Sequence, residues 1–332
     1  MDDGRVGAGQ ALNLTNPPAC PAAVPVPLSA GGSLNGRAHI VVERTGEGVD
    51  RLVECWGEAP LAPRPTSRGV FLVGGAAGPL GGDSLSCQVS VGSGARLRVG
   101  SVAASYARPG VGPEHSVLRV EARVEQGATL HWAPQPLVAL DGCRHRSEVT
   151  IDLAPGAEVL WIDIVVMGRH GEAGGEVVSR RSVDLAGKPL SRQELRLGTS
   201  SRAMQGPAVF GGARVLGSCL VVNPEWGRTG VRAGDAPGPA MRLSPGPAPR
   251  NGPAPGNGPA PGDGILSRSD GKPRGGNQRY GVLPLAGPAV DLVVLGQSVG
   301  EVLAAWDQLA AQLAVGAPRT ADQLARYVAE YR

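Results

Sequence analysis

Three segments built on one plan constrain the fold of this chain more than any other feature. Gly94, Gly127 and Gly156 are spaced 33 and 29 residues apart, and each is followed by an alanine, Ala95, Ala128 and Ala157. Three residues after each glycine stand Leu97, Leu130 and Val159, and five after stand Val99, Trp132 and Trp161. Before the glycines the same rhythm holds: Val91, Val124 and Leu153, then Val89, Ala122 and Ile151, then Cys87, Val120 and Val149. Apolar residues recurring every second position mark strands with one buried face. Each unit therefore reads as strand, tight glycine turn, strand. One such hairpin buries too little surface to stand alone, so neighbours must stack. The expected fold is mainly β, a layered β-helix-like stack of strand–turn–strand repeats with a small, aliphatic inner face. A weaker fourth unit turns at Gly187-Lys188-Pro189, between Val183 and Leu197. The alternative is an ordinary antiparallel sandwich.

Composition agrees with short strands joined by turns. Aromatic residues make up only 3% of the 332, against 51 glycines and 30 prolines. The 32 basic and 29 acidic side chains nearly balance and form no basic run, which argues against a nucleic-acid partner. The cysteines (Cys20, Cys55, Cys87, Cys143, Cys219) are dispersed, with no CxxC pair, so neither a structural zinc site nor a disulfide framework is expected. The chain begins Met1-Asp2-Asp3, acidic where a secretory signal would be basic, and prolines interrupt the apolar stretch from Pro17 to Leu28. No apolar run reaches the ~18 residues of a membrane span. The expected setting is a reducing cytoplasm.

The chain divides into a Pro/Ala-rich tail (1–34), a β-rich core (35–233), a Gly/Pro-rich insert (234–274), and a C-terminal strand and helices (275–332) that complete the same domain. The core opens with a hairpin signal, His39 to Val42 and Val49 to Trp56 around Gly46-Glu47-Gly48. Pro60 to Pro65 reads as an extended connector, because proline fixes its own φ and restricts its predecessor. In the insert, Gly246, Gly252 and Gly258 each open a Gly-Pro-Ala-Pro hexapeptide, a period incompatible with a collagen triple helix. Near the C-terminus, Ser298 with Glu301 and Thr320 with Gln323 form capping boxes. The first opens a helix carrying Val302, Leu303, Trp306, Leu309 and Leu313, the second a helix carrying Leu324, Tyr327 and Val328.

Signatures of catalysis are missing from the residues. The glycine run from Gly74 to Asp83 has no P-loop lysine and leads into a strand, so its glycines serve turns, with Asp83 at a loop tip or as an Asx cap. Asp141-Gly142-Cys143-Arg144-His145 places Cys143 and His145 on one face of a strand, ligands suited to nickel or zinc, with a buried thiol and a surface histidine as the plainer reading. His170 and Glu176 fall in a glycine-rich connector. There is no GxSxG elbow and no HExxH motif. A sugar-cleaving carboxylate pair, Asp141 with Asp152 or Asp163, would need aromatic platforms that five Trp, four Tyr and two Phe scarcely supply.

Taken in order, the motifs resemble the UreD (UreH) urease accessory family. They are Pro60-Leu61 through Arg64-Pro65, Phe71-Leu72 with Gly81-Gly82-Asp83, Gly94-Ala95, Ala103-Ala104-Ser105-Tyr106, Gly127-Ala128 with Trp132, Pro134-Gln135-Pro136, Asp141-Gly142, Gly156-Ala157 with Trp161, Gly168-Arg169 and Gln193-Glu194. The resemblance covers about residues 36 to 200. It implies a β-helical, non-catalytic chaperone that joins UreF-type protein and a UreG-type GTPase on apo-urease subunits and helps deliver nickel. A homodimer within that complex is one implied arrangement. It further implies no tightly held cofactor, nickel bound only transiently, and Asp83, Asp141 and Glu176 along an internal passage, with Cys143 and His145 as weaker candidates. A lysine common before the tyrosine is absent from Ser105-Tyr106-Ala107-Arg108. A β-helical carbohydrate-active enzyme and a purely structural scaffold remain the alternatives.

Overall fold

A computed structural model of the chain describes residues 32–74, 78–198, 206, 210–224, 279–285, 288–313, 324–325 and 328–329. The Pro/Ala-rich tail up to 31, the hexapeptide insert, and the second C-terminal helix apart from Leu324, Ala325, Val328 and Ala329 lie outside the described residues.

The first elements form the opening edge of two facing sheets. β1 (Asn35–Arg44) and β2 (Asp50–Gly57) make the expected antiparallel hairpin, with a register shift between Val41 and Val42. The proline-rich connector is itself a strand, β3 (Leu61–Thr66), paired with β4 (Gly69–Gly74). It lies at the edge of its sheet, where a proline costs no ladder hydrogen bond on the open side.

The three glycine units then fold as arches. β5 (Ser84–Val91) turns at Gly94 into β6 (Arg96–Ser101), which resumes after a break as β7 (Ser105–Ala107). β8 (Ser116–Val124) turns at Gly127 into β9 (Thr129–Ala133), resuming as β10 (Leu137–Ala139). β11 (Arg144–Leu153) turns at Gly156 into β12 (Glu158–Met167), which runs unbroken. The two strands of a unit do not pair with each other, as a hairpin would require. Each enters a different sheet and pairs in parallel with its counterpart in the next unit. The sequence alignment is thus a physical register: Cys87, Val120 and Val149 form one inward column, and Val99, Trp132 and Trp161 another. Trp132 and Trp161 stack at 4.7 Å with an interplanar angle of 8°. At the arches all three glycines have φ between +67 and +79°, and the alanines after them are buried where coil stacks on coil. Thr129 N–H donates to the Ala95 carbonyl at 2.9 Å and Glu158 N–H to that of Ala128 at 2.8 Å, so the turns themselves form a ladder.

The fourth unit is a true hairpin. β13 (Glu176–Leu185) pairs in parallel with β11, but β14 (Lys188–Leu197) folds back beside it in the same sheet. The loop is Ala186-Gly187, with φ of 51 and 73°, the two positive values that a two-residue turn matching strand twist demands. This hairpin ends the seven-stranded sheet, ordered β14-β13-β11-β8-β5-β1-β2. In the ten-stranded sheet β15 (Val215–Val222) runs antiparallel to β12, followed outward by β17 (Ala289–Gly296) and β16 (Arg279–Pro284).

The helix α1 (Val299–Leu313) lies across the outer face of that sheet. Ser298 Oγ accepts from Glu301 N–H at 3.2 Å. The return bond of the capping box goes one residue earlier than expected, from Gln297 N–H to Glu301 at 2.9 Å. Val302, Leu303, Trp306 and Leu309 pack against Ile162, Cys219 and Leu292, and Leu324 and Val328 join the same cluster. A Cβ on Gly217 would lie 2.4 Å from Val302, so glycine there sets how closely helix and sheet approach.

Candidate functional site

A cavity of about 410 Å³ lies between the sheets, at the level where β6 and β9 break. Pro134 and Pro136 flank the second break, and proline cannot continue a central ladder. Ser101–Ser105 and Pro134–Gln135, at the two breaks, form one wall, with the β3–β4 hairpin beside them. The other wall grades from apolar to polar along the stack. Leu85 and Leu118 line it on β5 and β8, and in the same column Ser147 and Ser179 line it on β11 and β13. His145 and, from β12, Asp163 complete the polar end.

His145 is fully buried, contrary to the expected surface position, because it follows the inward alternation of β11. Its Nδ1 lies 2.9 Å from Ser116 Oγ, which is also 3.3 Å from the Arg144 carbonyl oxygen. Burial, and secondarily the nearby His115, pushes its pKa down to about 4, so the ring is neutral at physiological pH. Asp163 accepts from Trp161 Nε1 at 2.9 Å. Burial pushes its carboxyl pKa up, against the opposing pull of Arg181 and the Trp161 hydrogen bond. Behind it a buried network ties the sheets together. Arg181 on β13 is ion-paired with Asp291 on β17 at 2.5 Å and donates to Ser218 at 3.2 Å, while Gln193 donates to Asp291 at 2.8 Å.

The acidic candidates occupy one rim of the seven-stranded sheet but do not converge. Asp83 is buried instead of standing at a loop tip: its two carboxylate oxygens accept from Leu34 N–H and Leu80 N–H, each at 2.8 Å, clamping the glycine-rich loop to the start of β1. Asp141 is exposed in the turn before β11. Glu176 opens β13 beside Arg144, 3.9 Å away. Both carboxylates lie near Cys143, whose pKa is pushed up to about 11, chiefly by burial, so the thiol offers no thiolate at neutral pH. Of these candidates only His145 lines the cavity. Among the described residues no cluster of three His, Cys, Asp or Glu side chains could hold a metal ion. The pairs weighed for sugar cleavage also fail to meet: Asp152 faces outward on β11, Asp141 sits in its turn, and Asp163 is inside. The two tryptophans that could have been platforms are stacked in the core.

Comparison with known proteins decides the family. The UreD urease accessory protein family matches residues 34–248. The chain belongs to the UreD family. Relatives named urease accessory protein UreD include one from Frankia alni, 37% identical over 261 residues, covering 67% of this chain and 87% of that protein. The protein of that name from Parafrankia sp. is 38% identical over 250 residues (68% and 84%), and that from Streptomyces avermitilis 38% over 212 (62% and 84%). In this UreD-family chain the sequence reading missed Arg181, Ser218 and Asp291, and weighed Asp163 only as half of a hydrolytic pair. The available signal was a lone polar residue in a wholly apolar strand: Ser218 within Val215–Val222 and Asp291 within Ala289–Gly296. Such residues, when buried, have partners. No helix among the described residues is long and apolar enough to cross a membrane.

Proposed function

We propose that this chain is a non-catalytic maturation factor of urease. It docks with a UreF-type protein and a UreG-type GTPase on apo-urease and lets nickel pass through the cavity between its sheets. The observation that carries this reading is the cavity's polar end, which a neutral imidazole and a carboxyl of raised pKa both line.

The chemistry is that of brief contact, not capture. If the Ser116 hydroxyl proton goes to the Arg144 carbonyl, His145 Nδ1–H donates to Ser116 Oγ and Nε2 keeps a lone pair suited to a borderline cation. Asp163 supplies one carboxyl, whose negative charge burial disfavours and a cation would favour. Two ligands from the protein, with water completing the shell, hold nickel too weakly to trap it. Asp141 and Glu176 lie outside the cavity lining on the rim of the same sheet, as contacts for a cation approaching from solvent. Asp83 holds the glycine-rich loop in place.

Co-expression with urease subunits and UreF- and UreG-type partners tests the proposal. Urease activity and nickel content should both require this chain, and D163N should lower both while leaving complex assembly intact. Because a charged Asp163 is disfavoured by burial, D163N should leave stability at pH 7 unchanged or raised, separating a transfer defect from misfolding. Full activation by D163N together with H145N would rule out the cavity as the route.

A further inference from the structure

A second depression, of about 440 Å³, opens on the outer face of the ten-stranded sheet. Arg64 on β3, Arg68 in the β3–β4 turn and Arg98 on β6 line it, together with Thr66, Ser67 and Gln135, and no lining residue is acidic. Phe71 forms its floor, with the Arg98 guanidinium 5.9 Å from the ring centroid. Gly69 and Gly100 bring these parts together: a Cβ on Gly69 would meet the Arg98 carbonyl oxygen at 2.4 Å, and one on Gly100 the Phe71 ring at 3.0 Å.

Several arginines elsewhere on the described surface are matched with acids, as in Arg37–Glu58, Arg119–Glu148, Arg169–Glu172 and Arg180–Glu194. Arg64 donates only to its neighbour's carbonyl, that of Pro63, and among the described residues neither it nor Arg68 is in an ion pair. The groove is also continuous with the mouth of the interior cavity. Ser101, Val102 and Gln135 line both, and Val102 is 61% exposed between them.

We propose that this groove binds an acidic, extended segment of a protein partner, with carboxylates on Arg64 and Arg68 and an apolar side chain against Phe71 and Val102. Charge complementarity argues for the occupant. Guanidinium forks match carboxylates bidentately, and several spread over an open groove suit a row of carboxylates better than one compact anion. The assignment stands independently of what the interior cavity carries. A segment seated there would cross the cavity mouth.

Fluorescence anisotropy of labelled hexaglutamate with the full chain is the test, with hexaglutamine as control. Saturable, salt-sensitive binding of hexaglutamate alone is expected. R68E should weaken it several-fold and R64E/R68E at least about tenfold, while R51E, at an exposed arginine on β2, leaves it unchanged. R68E alone guards against misfolding, since its side chain is exposed in a turn. Equal binding of hexaglutamine, or equal loss from R51E and R68E, would overturn the proposal. So would inorganic phosphate binding as tightly as the peptide and displacing it, since that outcome marks a small-anion site.

Discussion

His145 shows how much one inward step along a strand decides. A residue earlier, Arg144 faces solvent and pairs with Glu176; at 145 the side chain enters the interior and its ring loses its proton at ordinary pH. The unfolded chain protonates this histidine near pH 6.5, the folded chain only near 4. Between those values the unfolded state binds the extra proton, so stability is full above about pH 6.5, falls as pH drops towards 4, and levels off below. The contribution is on the order of 3 kcal/mol at most. Urea unfolding of wild type and H145N across pH 4 to 7 checks this. The variant should show the shallower slope, and parallel curves would count against a buried neutral ring. The sequence set Cys143 and His145 two residues apart as possible strand neighbours; Cys143 lies just before β11 and His145 on it, and both are buried. It could not tell that both are buried, or that among the described residues no three His, Cys, Asp or Glu side chains form a metal-holding cluster, because that depends on which strands lie alongside.

Among the elements, the glycine arches were legible in most detail. The positions aligned by counting from Gly94, Gly127 and Gly156 are the ones in register across both sheets. What counting could not give was whether the two strands of a unit pair with each other or part company, since both arrangements alternate with period two. The difference lies in the turn. At the arches one left-handed glycine redirects the chain across the stack, whereas Ala186 and Gly187, both at positive φ, return it alongside itself. Nothing lies within 4 Å of a Cβ placed on Gly127, so G127A tests backbone conformation free of steric conflict. It should cost about 1 kcal/mol in denaturant unfolding, the penalty of a left-handed alanine. A neutral outcome would mean the arch is not held in that conformation.

For the whole molecule, the outcome turns on closing the last coil. The seven-stranded sheet ends in a hairpin while the other continues into antiparallel strands, and Arg181–Asp291 joins the two across the interior. The sequence announced a stack of repeats but not how it ends, because this ion pair spans residues 110 apart in the chain. Removing one partner strands the other as an unpaired buried charge. D291A should therefore destabilise by about 3–5 kcal/mol in equilibrium unfolding, and R181M/D291L should recover most of the loss. If the double variant is no more stable than D291A, the pair is needed for its shape as well as its charge balance.

The breaks that follow β6 and β9 have a consequence for timing. A passage made by moving side chains would exist only part of the time, and any cargo would bind more weakly in proportion to the closed fraction. Here Pro134, which has no N–H to give a ladder, lines the hollow, and the neighbouring strand β12 runs through unbroken. The hollow is part of the resting fold, so a partner meets it already open and spends none of its binding energy on making room.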